Sequence, residues 1–163
     1  MKKLLLLLLF ITFSCGETKP VAVKAVPKVE KIRKGEIKLT KNSAEVFEVI
    51  VELNGALKIP MMLDTGCSGV SLPPYIVYTL IKIGTIKETD FLPPAYFIIA
   101  DGSTVAHTRL ILRELKIGEY TFKDVECSMS TSETAPILLG MEVLGKFKKV
   151  TIDNKRKVLI LEK

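Results

Sequence analysis

The dipeptide Asn54-Gly55 stands between two apolar runs, residues 46–53 and 57–63, and restricts this chain more than any other feature. A two-residue turn joining antiparallel strands needs positive φ at both central positions, which Asn and Gly tolerate and most residues do not. The spacing predicts a β-hairpin. The same punctuation recurs downstream: Asp101-Gly102 between 96–100 and 104–110, Gly118-Glu119 between 110–117 and 120–127, and Asp153-Asn154-Lys155-Arg156 between 150–152 and 158–161. Many short apolar strands at regular spacing, with no long helical stripe and no solenoid period, predict an all-β barrel or sandwich. Two stretches depart from this pattern. Pro73-Pro74 followed by 75–81 reads as a short helix with proline near its start, and Thr85-Ile86-Lys87-Glu88 has the spacing of a capping box. Residues 140–147 fit one more helical turn or two.

The N-terminus has a different character. Met1-Lys2-Lys3 and the apolar run 4–13 form a positive leader and a hydrophobic stretch too short to span a bilayer, which reads as an export signal. Cys15, preceded by Thr12-Phe13-Ser14 and followed by Gly16, resembles the lipobox of bacterial lipoproteins, with Thr12 and Phe13 standing where Leu and a small residue are usual. Two readings stay open there: lipidation of Cys15, or ordinary signal cleavage. Residues 16–43 alternate Lys, Val and Pro, and Pro20 and Pro27 break any ladder, so they read as a linker. Residues 44–163 suffice for one domain with a real core.

Charge narrows the partners. The formal net charge is +6, but from Val46 to Lys163 there are 14 basic and 14 acidic residues, and the excess lies in the leader and in 17–45, with 8 basic and 4 acidic. A nucleic-acid reader concentrates positive charge on its folded domain, so nucleic acid is not an expected partner. The basic leader is a solvated tether or rests on anionic headgroups.

Leu63-Asp64-Thr65-Gly66-Cys67-Ser68-Gly69-Val70 carries the chemistry. A carboxylate between an apolar strand and a glycine-rich turn sits at the end of a buried strand, where it is partly desolvated and loop N–H groups fix its orientation. Thr65 offers a hydroxyl to lock the loop, and Gly66 lets backbone approach a ligand closely.

With this loop the chain resembles the retropepsin-like aspartic proteases of the bacterial single-domain branch, over about 46–161. A hairpin feeds Asp-Thr-Gly, and the apolar strand Val70-Ser71-Leu72 leaves it. Ala100-Asp101-Gly102-Ser103 falls where the family carries its flap, and Pro136-Ile137-Leu138-Leu139-Gly140 supplies the apolar-Gly motif that supports the loop. The resemblance implies a closed β-barrel with short helices and a flap hairpin. It also implies an endopeptidase in which Asp64 is the catalytic carboxylate and Gly140 braces the loop. Because Asp90, Asp101, Asp124 and Asp153 lack a following Thr or Ser plus Gly, the second Asp64 would come from another copy in a homodimer, with Thr65 bonding across the two-fold axis. The expected substrate is protein or peptide in the bacterial envelope, with membrane attachment through the lipid anchor and no cofactor or metal. Cys67, Ser68 and Met141 depart from the viral pattern of Ala, Asp and Arg, which helps tie the dimer.

Cys67 and Cys127 have two readings, a disulfide between loop and strand or two small buried apolar residues. His107 is the sole histidine, which leaves almost no material for a serine triad or a His-rich metal site; a thiol peptidase would need it beside Cys67. The rival from another class is a non-catalytic envelope lipoprotein that keeps the fold for binding or scaffolding.

Overall fold

The computed structural model describes Ile32, Arg33 and residues 35–163; the export segment, Cys15 and most of the stretch read as linker lie outside the described residues. The first hairpin forms as β2 (Phe47–Leu53) and β3 (Leu57–Leu63), with Asn54 and Gly55 at φ 50° and 65°. Val49, Val51 and Leu53 alternate inward and are fully buried, the period of a strand with one face on a core.

Strand β4 (Val70–Leu72) leads into helix α1 (Pro74–Lys82). Proline fits that helix start because the first N–H groups have no intrahelical acceptor anyway. The capping box forms two residues later than its sequence spacing suggests. Lys87 N–H donates to the Asp90 carboxylate at 2.7 Å around a single 3-10 turn, Glu88–Asp90. Thr85 instead turns its hydroxyl back to the Leu80 carbonyl at 3.2 Å, where it serves the end of α1.

Strands β5 (Phe91–Ile98), β6 (Thr104–Ile117) and β7 (Tyr120–Met129) follow. The runs 104–110 and 110–117 are one continuous strand rather than two. No break is needed at Leu110, because β6 pairs with β5 along its first half, with β7 from Thr108 to Ile117, and with β2 at its end. The chain closes with β8 (Leu138–Leu139), helix α2 (Met141–Leu144), β9 (Lys149–Asp153) and β10 (Val158–Glu162).

One strand lies within the 16–43 stretch read as linker. β1 (Glu36–Lys41) has only Ile37 and Leu39 as apolar residues, set among charged and polar ones, and one of its two partners, β10, is distant in sequence. Leu39–Lys41 pair with β2, whereas Glu36–Lys38 pair with β10, which lies between β1 and β9.

The pairings β6-β7-β4-β8-β3-β2, and β2 back to β6, form a ring of strands, and the all-β class follows directly. Met61, Leu110, Leu112, Leu115 and Leu139 are completely buried inside it, each contributing about 1.5–3 kcal/mol by leaving water. Phe147, between α2 and β9, packs on the ring, meeting Tyr120 and Phe122 of β7 edge-on at centroid distances of 4.9 and 5.6 Å.

Candidate active site

Strand β8 is short, but its position shapes the site. It runs parallel to β3, with Leu63 opposite Leu139, and antiparallel to β4, with Val70 also opposite Leu139. The loop that carries the chain from β3 to β4, residues 64–69, therefore arches over the end of β8. Backbone bonds fasten it there. Asp64 N–H donates to Leu139 O at 3.1 Å, and Met141 and Glu142 N–H donate to Cys67 O and Ser68 O at 2.9 and 2.8 Å. The last two donors open α2 and have no acceptor within it, so loop and helix satisfy each other. Gly140 lies beneath, and a Cβ there would sit 2.2 Å from Gly69 O and 2.4 Å from Cys67 O. Only glycine leaves room for that approach.

Asp64 is half-buried, and its Oδ1 accepts the Gly66 N–H at 2.8 Å. Among the described residues, nothing donates to Oδ2. One oxygen is thus fixed by the loop while the other is left for a ligand or a second carboxylate. A Cβ at Gly66 would lie 3.2 Å from Oδ1, so this glycine also keeps the carboxylate's surroundings open. Thr65 is exposed at the loop tip.

The two described cysteines are free, so the disulfide reading does not describe this structure. Cys127 is buried on β7 in register with Val70, three residues beyond Cys67, and the Cys67 thiol is directed at Gly69 O, 3.2 Å away. Burial pushes both thiols up, further for Cys127, and the Asp64 charge adds to the effect at Cys67. Neither is a thiolate at neutral pH. His107 is on β6 opposite Ala95, its ring 5.3 Å from that of Phe97, so the stacking partner of the imidazole is an arene on the neighbouring strand and the thiol-peptidase reading gains no support.

Residues 100–103 form the tip of the β5–β6 hairpin. Ile99 N–H donates to Ser103 O at 2.9 Å and Gly102 N–H to Ile99 O at 2.8 Å, with Gly102 at φ 84°. Asp101 accepts the Ser103 N–H at 2.8 Å, and hydrogen bonding to Ser103 holds its carboxyl below the usual range. That carboxylate is committed to its own turn. The structure brings Asp64, Thr65, Gly66, Cys67 and Gly140 into one cluster and sets Ala100, Asp101, Gly102 and Ser103 apart on the hairpin. Sequence reasoning missed Tyr96 and Ile98, which are 80% and 79% exposed and share one face of β5. Their alternation with Phe97 was the available signal. Among the described residues, no cluster of three or more His, Cys, Asp or Glu could hold a metal ion, and no helix is long and apolar enough to cross a membrane.

A strand ring with an Asp-Thr-Gly loop braced by an apolar-Gly strand defines a retropepsin-like aspartic protease fold. The chain belongs to the family described as "gag-polyprotein putative aspartyl protease", whose model matches residues 49–146. Among solved structures it is similar to a retropepsin-like aspartic protease from Rickettsia conorii, 26% identical, with 78% of this chain and 89% of that chain covered and a TM-score of 0.56. It is also similar to EIAV protease complexed with the inhibitor HBY-793, 15% identical, covering 66% of this chain and 92% of that one with a TM-score of 0.45. No curated protein sequence matches.

Proposed function

We propose that this chain is an aspartic endopeptidase whose active form is a homodimer, each copy supplying one Asp64. The observation that carries this reading is the Asp64 carboxylate itself, pinned through Oδ1 to Gly66 N–H and with Oδ2 left open. Two such groups about 3 Å apart cannot both ionise, so they share one proton. The ionised member takes a proton from water as that water attacks a peptide carbonyl, and the protonated member donates to the carbonyl oxygen. Thr65 bonds across the two-fold axis, Gly66 keeps backbone close to the substrate, and Ala100 to Ser103 close over it as a lid. In the same reading the apolar leader exports the chain and a lipid on Cys15 holds it at the bacterial envelope.

The test is cleavage of a diverse peptide mixture by purified residues 17–163, a length that keeps every described strand and core residue, from acidic to neutral pH. Wild type should cut and Asp64→Asn should not. Silence of the wild type at concentrations where dimer is demonstrated would instead support a binding or scaffolding protein.

A further inference from the structure

Helix α1 buries one side and leaves an apolar side uncovered. Ile76, Val77 and Leu80 are turned into the core. Tyr75, Tyr78 and Ile81, at i, i+3 and i+6, line the opposite side and are 48%, 57% and 40% exposed, and Ile83 at the C-cap is 48% exposed. Polar chemistry on that side is sparse. The Thr79 hydroxyl donates back to the Tyr75 carbonyl at 2.7 Å, and the Tyr75 N–H donates to Glu133 Oε2 at 3.2 Å. The helix itself has no carboxylate, and its one charge is Lys82 in the last turn, with Lys87 in the segment that follows. Single exposed apolar residues are ordinary on a protein surface, whereas a contiguous group of them marks an interaction site.

We propose that this face of α1 docks on the surface of an anionic lipid bilayer. The inference rests on the membrane anchor of the proposed function and adds a fixed orientation to it. Tyrosine suits such a surface, because its ring enters the apolar boundary while its hydroxyl stays among the headgroups. Lys82 extends the match, its stem lying along apolar surface and its ammonium meeting phosphate. The chain ahead of the domain supplies the means. Residues 17–31 separate Gly16 from Ile32, and fifteen extended residues reach about 50 Å, whereas a domain of this size has a radius of gyration of about 14 Å. An anchor at Cys15 therefore brings every face within reach of the bilayer, at an effective concentration on the order of millimolar that lets a small patch dock. The 8 basic and 4 acidic residues of 17–45 favour the same anionic surface. Because β4 runs from the Asp64 loop straight into α1, docking also sets the orientation of that loop to the membrane.

The chain has no tryptophan, so Tyr78→Trp gives a unique reporter. Residues 17–163 with an N-terminal hexahistidine tag, held on vesicles of phosphatidylcholine, phosphatidylglycerol and a nickel-chelating lipid, reproduce the tether whether or not Cys15 is lipidated. Emission of Tyr78→Trp should shift to the blue and fall roughly twofold when the acyl chains are brominated, since a docked face lies about 5–10 Å into the headgroup boundary. Ile50→Trp, at a position 49% exposed on β2, should keep its emission. Adding Tyr75→Ser and Ile81→Ser to Tyr78→Trp should remove the quenching and leave the melting temperature little changed. No quenching at Tyr78→Trp, or equal quenching at both reporters, overturns the inference and leaves the anchor standing. Sedimentation of a vesicle-free dimer that Tyr78→Ser dissolves also overturns it, by giving the face to a second copy. The anchor is judged separately in the full chain: palmitate labelling should mark wild type and not Cys15→Ser, and an unlabelled wild type overturns the anchor and with it the inference.

Discussion

Arg109 on β6 donates through Nε to the carbonyl of Pro93 on β5 at 2.9 Å. Pro93 and Pro94 offer no N–H to the ladder, and the β5–β6 register slips between Leu92 and Ala95 at that point. Its Nη1 also reaches Glu126 on β7 at 2.8 Å, so one guanidinium ties the base of the hairpin to the strand behind it. Arg109→Ala should loosen the hairpin as a lid. Because the pair is partly exposed, the fold should lose only about 1 kcal/mol or less. Steady-state kinetics should show KM rising more than kcat falls; equal loss in both would place Arg109 outside lid positioning.

Gly140 is the most severe steric constraint at the site. Replacing it with alanine drives a methyl group into two backbone carbonyls that cannot move without dragging the Asp64 loop. Gly140→Ala should cost about 1–3 kcal/mol or more and remove peptide cleavage, as read by urea unfolding and by the peptide assay. A variant of wild-type stability and activity would show that the loop yields more easily than its hydrogen bonds suggest.

The Glu36–Arg156 pair sets an acid limit. Hydrogen bonds from the Arg156 guanidinium and from Arg33 N–H hold the Glu36 carboxyl at about 2, down from its ordinary 4.5. A group whose pKa is depressed by folding contributes stability above its unfolded value and loses it as pH falls towards the folded one. The contribution is therefore complete above about pH 4.5 and gone near pH 2. Melting temperatures of wild type and Glu36→Gln should differ most above pH 4.5 and converge near pH 2. Parallel curves across that window would contradict the assignment.

Both thiols should survive without reductant. Burial raises Cys67 above the ordinary thiol range, so iodoacetamide should modify the native protein slowly at neutral pH, at Cys67 before Cys127. Intact mass under non-reducing conditions checks the absence of a bridge, and Cys67→Ala should retain cleavage because the thiol takes no part in the proposed reaction.

Legibility in the sequence follows the range of each interaction. Asn54-Gly55, the Asp64 loop and the Pro73-Pro74 helix start are local, and two or three neighbouring residues suffice to announce them. The Thr85 capping signal misled because its hydroxyl found an acceptor in the preceding helix, the Leu80 carbonyl, and left capping to Lys87 and Asp90. β1 was illegible because a strand with two apolar residues is specified by partners more than 100 residues away as well as by its neighbour β2. Gly140 could be named from its motif, but not the carbonyls that crowd it. Arg109 carries no local mark at all, since its role exists only once Pro93 and Glu126 are folded beside it.

The parallel pairing of β8 with β3 also has a bearing on timing. During synthesis the Asp64 loop leaves the ribosome about 70 residues before the segment that braces it, a lag of several seconds at ordinary elongation rates. Until residues 138–142 arrive, nothing holds Asp64 N–H or the carbonyls of Cys67 and Ser68 in place. The Asp64 loop therefore acquires its braced geometry only after residues 138–142 have emerged and paired with it.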